Sequence, residues 1–241
     1  MNEVSQGEPS DDFKRAWSYA GQHIQKQSGG GLSWLRADLN PPMAEHLSFR
    51  MGNQIFFIFV EAAEFNFRNA ESLFLRVSKE AGAVPCVMKM QQRISTWEPA
   101  SPGWGLIHAE SGAVITPPAL VSDALIEMSR WELHDFAIQI VAQYLEKEGK
   151  RVFAKQSSTE IDPSIWFEDE SGPGFVVVRA ATYPQQEAAQ PSNLDSIKVN
   201  CARMSKNGYF ASVSVANADD IELPPYRGHG MHVRFTGVVG I

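Results

Sequence analysis

The sequence predicts a mixed α/β protein, mostly β in its N-terminal segment and alternating between helix and strand after about residue 126. Three observations carry this expectation. Leu133, Phe136, Ala137, Ile140, Val141, Tyr144 and Leu145 recur at helical spacing, which places them on one stripe of a helix that must be buried. The runs 54–60 and 175–180 are nearly continuous in apolar residues, rich in Phe, Ile and Val, and preceded by turn residues, as buried strands are. Beyond residue 129 the segments follow the order helix, strand, hairpin, helix, strand.

Taken along the chain, Ser10 followed by Asp11 and Asp12 opens a helix, because short oxygen-bearing side chains satisfy free N–H groups at a helix start. Phe13, Ala16, Trp17, Ala20 and Ile24 continue it until Ser28, Gly29, Gly30 and Gly31 stop the pattern. Gly52 and Asn53 precede the strand at 54–60, and 84–90 is a second strand. Between them, Leu73, Leu75 and Val77 are spaced by two, yet the helix formers around them favour a helix over 70–81. A hairpin centres on Ser111 and Gly112. The helix of the apolar stripe starts at Ser129 and ends at Gly149. Strands follow at 151–155, 165–167 and 175–180, with a polar turn at 156–160 and an acidic Gly/Pro turn at 168–174. After a Gln/Ala/Pro connection at 183–191, Ser192 and Asp195 form a capping pair. They open a helix carrying Leu194, Ile197, Cys201 and Met204, which Asn207 and Gly208 end. Strands at 209–216 and 231–239 complete the chain. No internal sequence repeat is visible.

The 241 residues are 44% apolar and 20% charged, with a net charge of −7, enough to bury a full core. The charge is spread evenly over the two halves, which weighs against wide, sequence-independent capture of nucleic acid, since that binding comes from clustered Lys and Arg. Cys86 and Cys201 have no CxxC partner, so neither a disulfide framework nor a thiolate zinc site is indicated. No apolar run reaches the length needed to cross a bilayer, and the N-terminus is acidic. Together these features place the protein, as an expectation, in the cytoplasm and away from the membrane.

Trp131, Glu132 and Leu133, then Gly149, then Asp162, Pro163, Ser164, Ile165 and Trp166, then the strand from Phe175 to Arg179, resemble the PD-(D/E)XK nuclease superfamily. The resemblance covers roughly residues 130–216. It implies a restriction-endonuclease-like mixed sheet flanked by helices, and three parts in the chain: 1–31, a helix and Gly linker; 32–125, a β-rich domain or extension; and 126–241, the nuclease-like domain. In that superfamily a helix Glu and the motif Asp and Glu hold a divalent metal, and a Lys positions the attacking water. Glu132 and Asp162 match the helix Glu and the motif Asp, and become the metal candidates. The E-x-K pair falls on Val177 and Arg179, and here the match fails. Valine offers a metal no oxygen ligand, and a guanidinium stays protonated where water activation wants a compact ammonium. Glu168, Asp169 and Glu170 in the adjacent turn are the candidates for a relocated carboxylate, with Mg²⁺ or Mn²⁺ as cofactor only if activity survives.

Each of these residues also has an ordinary structural reading. Glu132 suits the first turn of any helix through the helix dipole, Asp162 before Pro163 suits a turn, and Arg179 suits an ion pair with Asp162 or Glu132. His108, His134, His229 and His232 lack the spacing of a metal site. Gly228 to Gly230 reads as a turn, Cys201 as core, and Phe56, Phe57, Phe59, Phe65 and Phe67 as core rather than base-stacking residues. Trp97, Trp104 and Trp166 are the aromatic candidates for an exposed recognition surface. The expected function is a catalytically degenerate nuclease-like protein acting in binding or assembly, in the bacterial or mobile-element setting that the resemblance implies, with DNA or a protein as partner. The alternatives are an active Mg²⁺- or Mn²⁺-dependent DNA nuclease with Asp162 and Arg179 as catalytic residues, and an acidic protein-binding or inhibitor module.

Overall fold

The structure, a computed structural model, describes residues 9–39 and 47–241. The chain divides into two compact units, parted between Ala124 and Leu125. The fold class is mixed α/β, with two mixed sheets, four α-helices and a strand-rich N-terminal unit among the described residues.

The N-terminal unit contains α1 (Asp11–Ser28), β1 (Ser33–Arg36), β2 (Leu47–Met51), β3 (Gln54–Glu61), α2 (Phe67–Ala81), β4 (Val84–Gln92), β5 (Trp97–Pro99), β6 (Leu106–His108) and β7 (Val114–Ile115). The Ser10 side chain accepts from the Phe13 N–H at the start of α1, and Gly29 ends the helix at a φ of 58°, a left-handed backbone that glycine adopts without strain. The sheet order is β1-β2-β3-β4-β6-β7, with β5 paired to β4. Among the described residues of this sheet only β3 and β4 run parallel, joined through α2. Because side chains alternate along a strand, Phe56, Ile58 and Val60 face the core shared with Phe13, Ala16, Ala20 and Ile24 of α1. Phe59 faces the other way and meets Phe67 and Phe74 of α2, with ring centroids 5.5 and 5.9 Å away.

The C-terminal unit contains α3 (Arg130–Lys147), β8 (Arg151–Lys155), β9 (Ile165–Asp169), β10 (Gly172–Thr182), α4 (Leu194–Cys201), β11 (Asn207–Asn217) and β12 (Met231–Gly240). The sheet order is β12-β11-β10-β9-β8, again with one parallel pair, β10 and β11, joined through a helix. Val176 and Val178 pack with Ala137, Ile138, Val141 and Leu145 of α3. Phe175 and Val177 pack with Ile197 and Cys201 of α4 on the opposite face.

The two units therefore share one core topology, to which the N-terminal sheet adds β5 and β7, a structural repeat that the sequence does not display. Each has a helix, three antiparallel strands, a crossover helix to a parallel strand, and an antiparallel return strand. The tight turns set the register: Met51 pairs Gln54 across Gly52 and Asn53, and Asp169 pairs Gly172 across Glu170 and Ser171. Counted from those turns, Ile58 and Val60 take the places of Val176 and Val178 under the first helix, and Phe59 takes that of Val177 under the second. Burial on both faces requires only apolar side chains at these positions, so the fold repeats without repeating its residues.

Other differences from the sequence reading have local causes. Strands β1, β2 and β5 were not expected, being short or next to polar turns. Helix α2 forms where the sequence reading expects a helix but starts at Phe67 rather than at residue 70; Phe67, Phe74, Ser78 and Ala81 supply its buried face while Leu73 lies exposed. Helix α4 ends at Cys201 rather than after Met204, with no side-chain cap at its start. Glu168 and Asp169 extend β9, and Gly174 lies within β10, so the turn between them is only two residues long. Trp104 is buried in the N-terminal core and Trp97 packs against it, while Trp166 packs on Phe175. Trp104 is thus no part of an exposed surface, whereas Trp97 and Trp166 stay half-buried.

Candidate functional site

Two of the residues singled out in the sequence, Asp162 and Arg179, meet toward the C-terminal end of β10. Strand β8 leads into the loop 156–164, which the buried Gln156 organises: its side-chain amide donates to the Ile161 carbonyl, and its Oε1 accepts from the Ser158 N–H at 2.8 Å. Ser164 returns the chain to the sheet, its N–H donating to the Val176 carbonyl at 3.0 Å and its Oγ accepting from the Val178 N–H at 3.2 Å. These bonds set Asp162 beside Arg179. Arg179 Nη1 donates to Asp162 Oδ1 at 2.9 Å and Nη2 to Oδ2 at 2.6 Å, a bidentate pair in which the carboxylate is the more buried partner. The Asp162–Pro163 peptide bond is cis.

Glu132 is not at this pair's disposal. Its carboxylate is 6% exposed and takes Arg227 Nε on Oε1 at 2.9 Å and Arg227 Nη2 on Oε2 at 2.7 Å. Oε2 also accepts the Ser129 N–H at 2.8 Å, completing a reciprocal capping box at the start of α3. Sequence reasoning missed Arg227 as a site residue, because it lies 95 residues from Glu132 within a turn that carries no helical or strand pattern.

The chemistry expected of a metal centre does not assemble. Val177 is fully buried under α4 and offers no ligand. The relocation candidates are a correction to the sequence reading: Glu168, Asp169 and Glu170 sit at the other end of the hairpin. Gly172, which pairs Asp169, is seven residues from Arg179 along β10, about 23 Å at the rise of an extended strand. There Glu168 pairs with Arg151, and Lys150 Nζ lies 2.5 Å from Asp169. That contact, with hydrogen bonds from Ser171, holds the Asp169 carboxyl down at about 2. Among the described residues no cluster of three His, Cys, Asp or Glu side chains could hold a metal ion. The histidines stand apart: His108 Nδ1 accepts from the Glu110 and Ser111 N–H groups in its turn, and His229 lies 3.7 Å from Asp219.

The end of β10 instead borders a pocket of about 260 Å³, lined by Arg130, Leu133 and His134 of α3, Thr159, the β10 residues from Arg179 to Thr182, and Gln185. Gln185 is held over β11, where its carbonyl accepts from Ser214 Oγ at 2.7 Å. His134 is 3% exposed. Burial first, and then the positive charge of Arg179, push its imidazole down to about 4, against the opposing pull of Asp162. It is therefore neutral at pH 7. Sequence reasoning listed His134 among scattered histidines and did not connect it with Arg179; its neighbours come from four separate segments.

No helix among the described residues is long and apolar enough to cross a membrane. No curated protein and no solved structure matches the chain. Residues 131–241 are similar to a family described as a domain of unknown function (DUF8840), a match that runs from the second residue of α3 to the C-terminal residue.

Proposed function

We propose that this protein is a catalytically degenerate, nuclease-like protein whose C-terminal unit serves in binding or assembly. The observation that carries the reading is the bidentate Asp162–Arg179 pair. A carboxylate with both oxygens held by a guanidinium is already neutralised, so a metal could enter only by displacing a fixed cation. The acid at the start of the preceding helix, Glu132, is likewise committed to Arg227, and Val177 stands where a second ligand would be needed.

The element order of the C-terminal unit is the one the resemblance implies. The N-terminal unit has the same topology with Glu61 at the place of Arg179, paired to Lys89 at 3.1 Å, so the nuclease likeness rests on the residues of the C-terminal unit rather than on its topology. The active-nuclease reading needs a relocated acid, and the distance to Glu168, Asp169 and Glu170 weighs against it.

The test is a cleavage assay on plasmid, linear and single-stranded DNA and on RNA, with Mg²⁺ or Mn²⁺, comparing the protein with Asp162→Ala prepared identically. The expected result is no metal-dependent cleavage by either. Cleavage by the unaltered protein that Asp162→Ala abolishes would overturn the proposal.

A further inference from the structure

Strand β12 lies at one edge of its sheet, and among the described residues nothing pairs with it beyond β11. Alternate N–H and C=O groups of such an edge point away from the sheet and can template another strand. The side chains that usually guard an edge are sparse here: β12 contains no Pro, Lys, Asp or Glu, and Arg234 is its one permanently charged residue. A bulge at Thr236 and Gly237 lies on the β11 side, between the pairs Val213–Phe235 and Ala211–Val238.

The N-terminal unit shows what the equivalent edge takes. Phe59 and Val177 hold the same place in their units; Phe59 pairs Val87 and Val177 pairs Phe210, and these in turn pair Ile107 of β6 and Val239 of β12. Ile107 and Val239 are therefore equivalent. Beyond Ile107 stands Val114 of the antiparallel β7, and Ile107 is half-buried. Beyond Val239 no described strand follows, and its side chain is 63% exposed.

A second observation supplies the chemistry. On the face that bears Val239, a pocket of about 290 Å³ lies between β12 and the connection after β10, lined among others by Phe210, Ser212, Arg234, Thr236 and Val239. Arg234 Nη1 donates to Gln186 Oε1 at 2.8 Å, and no described carboxylate pairs with it; Glu187, which also lines the pocket, makes no ion pair with it. Arg234 and Val239 pair Ser214 and Phe210, so a regular strand covers in four residues what β12 crosses in five with its bulge.

We propose that β12 takes an antiparallel strand from a partner protein, an extended segment with an apolar residue beside Val239 and, four residues nearer its C-terminus, an Asp or Glu beside Arg234. Main-chain hydrogen bonds supply the affinity and these two side chains select the segment. A second copy of β12 is disfavoured, because it carries no acid to answer Arg234. The inference deepens the binding reading of this unit and rests on it, while using neither residue of the Asp162–Arg179 pair.

The test is fluorescence anisotropy of the full chain with the labelled, end-capped peptide Lys-Thr-Val-Thr-Val-Thr-Glu-Thr-Lys, with amide hydrogen exchange to locate it. Saturable binding is expected, with slowed exchange over 231–240 and unchanged exchange at the opposite edge, 151–155. Of two versions N-methylated on alternate residues, one should bind and the other should not, since an added strand turns one of its edges to β12. Replacing the peptide's Glu by Gln should weaken binding about twofold to fivefold, the range of an exposed ion pair, and in Arg234→Gln the two peptides should bind alike. No saturable binding through the millimolar range, equal binding of both N-methylated versions, protection elsewhere than β12, or a Glu peptide no tighter than the Gln one overturns the proposal. Slow exchange of the outward β12 amides in the free chain overturns it as well: in a dimer the edge is taken by a second copy, in a monomer by the chain's own residues. Peptide binding together with metal-dependent cleavage would keep the added strand and remove the non-catalytic reading, whereas absence of both would do the reverse.

Discussion

Replacing Arg227 with Met should be among the most costly single changes in the C-terminal unit. The Glu132 and Arg227 side chains are 6% and 4% exposed and joined by two charge-assisted bonds, so Arg227→Met leaves a carboxylate buried with only the Ser129 N–H to meet it. Breaking a buried pair from one side costs about 3–5 kcal/mol, because the surviving charge keeps its desolvation penalty and loses its partner. At a urea dependence of about 2 kcal/mol per M, that moves the midpoint down by about 1.5–2.5 M. In the double variant Glu132→Gln with Arg227→Met no charge is left, and Gln can still close the capping box, so at least half of the loss should return. The assay is urea unfolding read by hydrogen exchange of the β10–β11 amides, which reports this unit alone. A loss under about 1 kcal/mol in Arg227→Met, or a double variant no more stable than the single, would refute the reasoning.

Three further outcomes follow from groups elsewhere in this unit. His134 should titrate near pH 4 by NMR, and since its folded pKa lies below the ordinary imidazole value of 6.5, its neutral form stabilises the fold fully above about pH 6.5 and progressively less down to pH 4; His134→Phe should flatten stability across that window, and a midpoint near 6.5 would count against the burial. Asp169, lowered from 3.8 to about 2 chiefly by Lys150, contributes stability above about pH 4 that is lost as the pH falls toward 2, so Asp169→Asn should remove that acid sensitivity from denaturant midpoints. In Gly174→Ala the added Cβ would lie 2.4 Å from Phe167 Cζ, inside the core, and should cost about 1–3 kcal/mol by overpacking, whereas Gly149→Ala meets open space and bears only its positive φ of 78°; equal melting temperatures for the two would contradict the packing argument.

The sequence by itself determined where most helices and strands form, because their signals are local: apolar spacing along α1 and α3, unbroken apolar runs in β3 and β10, and caps such as Ser10 and Ser129. It also marked Asp162 and Arg179, though only through the resemblance to the nuclease motifs and with no knowledge of the distance between them. Only the tertiary structure decided that these two pair with each other and that Glu132 pairs with Arg227, as bonds across 17 and 95 residues depend on which loop ends meet rather than on neighbouring residues. The same holds for Glu168, Asp169 and Glu170, near Asp162 in sequence but carried to the opposite end of the hairpin by a strand that rises about 3.3 Å per residue. The repeat was invisible for a related reason. A fold of two faces asks each strand position for an apolar side chain of fitting size and not for a particular one, so Ile58 and Val176 can do the same work while Glu61 and Arg179, at equivalent edges, carry opposite charge.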